Sequence, residues 1–180
     1  MSLDCLQTPR LVGSRIRESH FEELARLHRD PRVMATLGGL RTDEDTRRLL
    51  AAFVRHWRDH GYGVWVFRAR DGGSFIGRCG LRRGIVDGAE ETEVMWAVMS
   101  EHWGKGFGTE MARAAVDAAF TLADLEDVVA FTLPENAASR RVMDKTGFTF
   151  EKEIEWKGLR HVLYRLRRAN SPSATGSLQP

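Results

Sequence analysis

What the chain has little of narrows the reading first. Its 180 residues hold two cysteines, Cys5 and Cys79, too few for a disulfide framework, so both read as reduced thiols. No apolar run approaches the ~18 residues that a membrane span needs. The opening MSLDCLQTPR lacks the basic-then-apolar order of a secretory signal, and a cytoplasmic domain is expected. Neither sign of charge dominates: 27 Lys plus Arg stand against 25 Asp plus Glu, for a formal +2. That balance gives no case for a nucleic-acid or membrane-surface protein. Lysine is scarce, confined to Lys105, Lys145, Lys152 and Lys157, and arginine supplies the other cations. The bias is put down to genome composition before function, although arginine is the better fork for carboxylate and phosphate.

What is present describes one folded unit. Hydrophobic residues make up 42% and charged residues 29%, which excludes wholesale disorder, and nine Phe, five Trp and two Tyr supply bulky core material. No repeat with a period of 20–50 residues is found. A single domain is expected over residues 1–168, its packed part beginning near residue 8 after a mobile start. The uncharged, Ser/Pro/Gly-rich stretch ANSPSATGSLQP, residues 169–180, is expected to be a disordered tail.

Patterning gives the element order. RLVGSRIR (10–17) alternates as a strand does, and Ser19 with Glu22 has the spacing of a helix capping box. Thr42 with Asp45 opens a second helix whose stripe is Leu49, Leu50, Phe53, Val54 and Trp57, stopped by Gly61. Strands are expected at 62–70, 74–83 and 91–99, turning at Asp71-Gly72-Gly73 and Asp87-Gly88. A buried helix (109–123), a short strand (128–133), a helix (135–145) stopped by Gly147, and a hairpin (148–156, 160–167) turning at Lys157-Gly158 complete the chain. This order describes an α/β (α+β) fold: a mixed sheet with helices on both faces.

The strongest local signal is Trp103-Gly104-Lys105-Gly106-Phe107-Gly108, between a strand and a helix. Three glycines at alternate positions strip side chains from one stretch of backbone, whose N–H groups can then converge on a phosphate or pyrophosphate at the positive helix end. Lys105 adds a point charge there or faces water. Glycines after a strand also make ordinary turns. The spacing is neither that of a P-loop nor that of the dinucleotide fingerprint, since Thr109 stands where a third glycine would be needed.

A second segment, Asn136-Ala137-Ala138-Ser139 through Lys145-Thr146-Gly147-Phe148, follows by one helix and one strand. Together the two stretches resemble the signature motifs of the GNAT (Gcn5-related N-acetyltransferase) superfamily, whose cofactor is acetyl-coenzyme A. The upstream run Glu93-Val94-Met95-Trp96-Ala97-Val98 and the opening Thr8-Pro9-Arg10-Leu11-Val12 are similar to its RimJ/RimL-like branch, which acetylates ribosomal-protein N-termini. The resemblance spans about residues 8–167. It implies a mostly antiparallel central sheet with splayed middle strands.

The site follows from the same resemblance. Backbone N–H groups of Gly104, Gly106, Phe107 and Gly108, with Lys105 and Thr109 beside them, would hold the pyrophosphate. The pantetheine arm would lie between the strand ending at Val98 and Met99 and the strand starting near Thr132. Asn136 would bond the pantetheine region, Ser139 would sit near the thioester sulfur, and Arg140 or Arg141 would reach the 3′-phosphate. Two departures matter. Trp103 stands where many members carry Arg or Gln, and Met143 where many carry the tyrosine that protonates the departing thiolate, which moves that role to Ser139. Glu93 matches the family carboxylate that takes the ammonium proton of the acceptor; on residues alone it also reads as a solvated strand-edge charge.

Other residues carry less. Asp87, Glu90 and Glu91 form an acidic rim or a solvated turn, and His102 flanks the glycine loop. His56 and His60 sit one helical turn apart without a carboxylate or cysteine partner, so no metal is assigned. Trp57, Trp65 and Trp96 are expected in the core, while Phe53 and Trp57 have the acceptor pocket as an alternative place. The reading is acetyl transfer to a primary amine, on a small molecule or a peptide N-terminus, directly within a ternary complex and with no metal. A non-catalytic CoA-binding sensor or scaffold, and a longer-chain acyltransferase, are the rivals. The acceptor's identity and a homodimer stay open.

Overall fold

Chain direction in this protein is set by turns that only certain residues allow. The computed structural model describes residues 2–171. At Asp87-Gly88 and Lys157-Gly158 both central residues have positive φ (49° and 79°, 51° and 75°). That is the turn whose twist matches a two-residue hairpin. The first joins β4 (Phe75–Val86) to β5 (Ala89–Val98), and the second joins β7 (Thr149–Trp156) to β8 (Leu159–Arg167). A salt bridge of 2.6 Å from Lys152 to Asp87 ties the two hairpins.

With β1 (Cys5–Gln7), β2 (Leu11–Arg15), β3 (Val64–Ala69) and β6 (Asp127–Thr132), these strands form one sheet in the order β1-β2-β3-β4-β5-β6-β8-β7. Every neighbouring pair is antiparallel except β5 with β6. Those two run parallel, pair at Glu93 and Val129, and then part, because β5 continues to Val98 on its bonds to β4. The sheet therefore opens in its middle.

Both sheet faces are covered. α3 (Asp43–His60) is opened by a reciprocal Thr42–Asp45 cap and stopped by Gly61 at φ 74°. Its Phe53 lies 5.5 Å from the Arg78 guanidinium on one face of β4. α4 (Phe107–Thr121) covers the other face, where Val98 approaches Gly108. Its buried Met111, Ala112, Ala115, Val116 and Ala119 account for its nearly all-round apolar pattern. α1 (Phe21–His28) and α2 (Pro31–Met34) lead into α3, and α5 (Ala137–Thr146) ends at Gly147, φ 90°.

Three local expectations change. The Ser19–Glu22 cap does not form. Glu18–His20 is a 3-10 turn in which the His20 imidazole, not a serine hydroxyl, accepts the Arg17 N–H at 2.9 Å. The start of the chain is not loose, since Cys5–Gln7 pairs with β2 and Leu6 is buried. Of the tail expected from residue 169, Arg168–Asn170 forms a 3-10 turn and Ser171 is buried; residues 172–180 lie outside the described residues. Among the described residues no helix is long and apolar enough to cross a membrane.

Candidate active site

A cleft of about 540 Å³ opens where β5 and β6 part. Its walls come from both faces of β5 (Trp96, Ala97, Val98), from the start of α4, from α5 (Ala138, Ser139, Arg141, Val142, Lys145), from Val33 in α2 and from Thr36 and Leu37 after it. Trp96, expected in the core, packs half-buried against it and also forms a wall of the cleft. Phe53 and Trp57 are buried core and do not line the cleft.

The loop at the mouth is built as its glycines suggest. Gly104 and Gly106 have φ 77° and 79°, a region that L side chains resist. Gly106 is the N-cap of α4, and no side chain caps it. The free N–H groups of that first turn, Gly106, Phe107, Gly108 and Thr109 among its residues, adjoin the cleft with the helix dipole behind them. That donor set fits a pyrophosphate. Lys105 is not part of it: its Nζ donates to the Glu101 carbonyl at 3.2 Å, on the outside of the loop.

Arg10, noted in the sequence only as part of the first strand, braces this loop from behind. Its Nη1 donates to the Lys105 carbonyl at 2.9 Å, its Nε to Glu110 at 2.7 Å, and its guanidinium lies 4.5 Å over the Phe107 ring. Glu110 also accepts from the Thr8 hydroxyl (2.6 Å) and the Arg10 N–H (2.9 Å). Burial alone would push that carboxyl up, but these hydrogen bonds hold it below its usual range.

On the strand wall, Val98 faces the gap and its carbonyl accepts the Trp103 indole N–H at 2.9 Å. Met99 does not face it. Its N–H donates to Ile76, its carbonyl accepts from His102, and its side chain is buried. The expected pairing of an extended ligand with Met99 is therefore corrected to Val98, the residue of the other parity. His102 lines the cleft with its ring edge-on to Phe107.

On the helix wall, Asn136 is the N-cap of α5 and does not line the cleft. Its carbonyl oxygen accepts the Ser139 N–H (3.1 Å), and its amide donates to Thr132 Oγ1 (3.0 Å) and Ser139 Oγ (3.1 Å). The amide is spent on positioning Ser139 rather than on a ligand. Ser139 Oγ accepts, so its own proton remains to give. Arg141 lines the cleft; Arg140 points away, to the Tyr164 hydroxyl and the Pro134 carbonyl.

Glu93 is brought to the other side of the gap. It is buried on the α3 face of β5, four residues and about 13 Å along the strand from Ala97, and it does not line the cleft. Its carboxylate meets Arg82 at 2.5 Å. Burial pushes this carboxyl above its usual range against the pull of Arg82, Arg78 and His161. The solvated strand-edge alternative does not hold for Glu93. It does hold nearby: Glu90 pairs with Arg83 on the surface and Asp87 with Lys152. Glu91 is half-buried against Arg165, which also takes Glu151 and Asp127. His56 is not a ligand either, since one ring nitrogen accepts the Arg83 N–H and the other bonds the Tyr62 carbonyl. Among the described residues, no group of three or more His, Cys, Asp or Glu could hold a metal.

Known proteins share this fold. Residues 10–149 match the model of the acetyltransferase (GNAT) domain. The uncharacterized protein YkkB of Bacillus subtilis (strain 168) is 30% identical over 81% of this chain and 88% of its own. The crystal structure of an acetyltransferase from Agrobacterium tumefaciens str. C58 covers 93% of this chain and 96% of its own, with 24% identity and a TM-score of 0.81. RimL, a ribosomal alpha-N-protein acetyltransferase solved in complex with coenzyme A, shares the fold at a TM-score of 0.75 and 17% identity, covering 91% of this chain and 97% of its own. The open sheet, the uncapped glycine loop and the matched domain together make this chain a member of the GNAT N-acetyltransferase family.

Proposed function

We propose that the protein uses acetyl-coenzyme A to acetylate a primary amine by direct transfer within a ternary complex. The observation that carries this reading is the uncapped N-terminus of α4 opening into the same cleft as Val98 and Ser139. The N–H groups of Gly106, Phe107, Gly108 and Thr109 would hold the pyrophosphate, with Arg141 placed for a further phosphate. The exposed edge of Val98 would pair with the pantetheine once the Trp103 indole releases its carbonyl. The bound cosubstrate supplies an activated acetyl group as a thioester.

The chain's own residues supply the proton steps. Ser139, oriented by Asn136, has a free hydroxyl proton for the departing thiolate. Glu93 takes the ammonium proton from the α3 side of the sheet; its distance along β5 calls for a water relay, and its burial moves it toward the pKa a general base needs. An amine presented by a peptide N-terminus, as in RimL, or by a small molecule meets the same groups.

Acetyl-CoA at ~100 times its Kd should stabilise the native state by about 2.7 kcal/mol, roughly 5–11 °C in Tm for a domain of this size. It should also release free thiol when an acceptor amine is added. No Tm shift at millimolar acetyl-CoA in a folded sample refutes the cosubstrate. A shift with no thiol release from any primary amine favours the sensor.

A further inference from the structure

Behind Ala97 and Leu37, two wall residues of the cleft, lies an excess of buried positive charge that does not itself line it. Arg78 is 4% exposed, and its Nε and Nη1 have no hydrogen-bond partner. It is the cross-strand partner of Ala97, so the two side chains share a face, and Ala97 is a wall of the cleft. Arg41 lies close by. Its Nη2 donates at 3.5 Å to the carbonyl of Leu37, another wall residue, and its Nε is also buried without a partner. His28 Nε2 is a fourth buried nitrogen of this group left unpaired, while Nδ1 bonds Thr46 at 2.9 Å.

Among the described residues, no carboxylate forms an ion pair with Arg78 or Arg41, although Glu93 favours the charge on Arg78 from a distance. The carboxylate beside Arg78 is Glu93, which is already paired at 2.5 Å with a different guanidinium, Arg82. The Phe53 ring 5.5 Å away offers Arg78 a flat apolar neighbour and no acceptor for its N–H groups. Burial brings Arg78 down only to about 10, so it stays charged at neutral pH, while burial first and the two arginines second hold His28 neutral. A buried, unpaired guanidinium costs several kcal/mol, and a chain that keeps one gains from the anion that completes it.

Resting on the acetyltransferase reading above, we infer that Arg78, with Arg41 beside it, forms an anion subsite at the acceptor end of the cleft. The acceptor is accordingly an amine that also carries a carboxylate, a small amino acid. The planar guanidinium fork matches a carboxylate in two parallel N–H···O bonds. The carboxylate would anchor on Arg78 while its amine lies toward the Ala97 end of the gap and the proton path to Glu93. A protein N-terminus with neutral first side chains brings no such anion.

Matched pairs test this without any mutation: lysine against cadaverine, ornithine against putrescine, histidine against histamine, with phosphoethanolamine against ethanolamine as the phosphate arm. With saturating acetyl-CoA, the carboxylated member of each pair should show kcat/KM higher by about 30-fold or more, the difference lying in KM. In Arg78→Met that ratio should collapse toward one, and Arg78→Lys should restore part of it. Where turnover is slow, the same pairs are compared by the Tm shift they give the CoA-loaded protein. Equal treatment of the pairs by the wild type overturns the subsite, as does a ratio that survives Arg78→Met, or preference for the phosphate arm alone. If Arg78→Met does not fold, the wild-type ratios decide. Failure of acetyl-CoA itself to raise Tm is a separate result, which removes the acetyltransferase reading and the subsite with it.

Discussion

The two ends of the cleft are made of different material. At the mouth, the glycine loop and the first turn of α4 present backbone N–H groups, and side chains serve as braces: Arg10, Glu110 and Thr8 stand behind the loop, not in it. At the α3 end the polar groups are side chains on one face of the sheet, Arg78 opposite Ala97 and over the Phe53 ring, and Glu93 paired with Arg82 further along β5. Backbone donors at a helix end are fixed dipoles that lose little solvation when they take a phosphate. Buried ionisable groups hold their charge only through one another, so each substitution there leaves a partner uncompensated. The first design suits a group with a constant pyrophosphate; the second, on the proposal above, would discriminate among acceptors.

The contrast breaks most sharply at Glu93. Glu93→Gln should lower kcat by about 10²–10⁴-fold while leaving acetyl-CoA affinity nearly unchanged. The sign in pH follows from burial. Glu93 must be ionised to accept a proton, and its pKa is raised. The rising acidic limb of kcat/KM should therefore lie above the ordinary carboxylate range and vanish in Glu93→Gln. Ser139→Ala tests the other proton and should give the smaller kcat loss. Near wild-type turnover in both variants would assign catalysis to placement of a neutral amine alone.

The same contrast explains what the sequence could tell. The mouth was legible because glycine spacing, the strand before it and the helix after it are local features, and Gly104, Gly106 and Gly108 stand where that pattern requires. Hairpin turns at Asp87-Gly88 and Lys157-Gly158 were legible for the same reason. Arg10 was not, since its partners Lys105 and Glu110 are about a hundred residues away and nothing local marks the pairing. Met99 was misplaced because strand ends are uncertain by a residue, and one residue exchanges the faces of a strand. Arg78 sat unremarked inside a strand pattern, since alternation cannot say that the face it joins is already rich in arginine.

At the mouth, Gly106→Val puts a β-branched residue at φ 79° in the α4 N-cap. The residue cannot hold that conformation without strain, so the first-turn N–H groups lose their common aim. Acetyl-CoA Kd should rise about 10–100-fold by titration calorimetry, from the left-handed penalty together with the lost approach to the backbone. A folded Gly106→Val with wild-type Kd refutes the backbone-donor account of this end.

The smallest effect should come from the brace. Arg10→Ala removes the bonds to the Lys105 carbonyl and to Glu110 and uncovers the Phe107 ring, but no donor that faces the cleft. The loop can then sample other conformations, and the ligand must order it on binding, so affinity falls by what ordering costs. With the Arg10 side chain about half exposed (49%), solvent screens the ion pair. A rise in acetyl-CoA Kd of about three- to tenfold is expected, with kcat at saturation unchanged. Glu110→Gln loosens the same brace, so Arg10→Ala with Glu110→Gln should cost less than the sum of the two single changes. Arg10→Ala with Glu93→Gln should be additive, because the two sites share no partner. If Arg10→Ala instead lowers kcat and leaves Kd alone, the loop is coupled to the chemistry, and the division between a backbone-built mouth and a side-chain-built acceptor end fails.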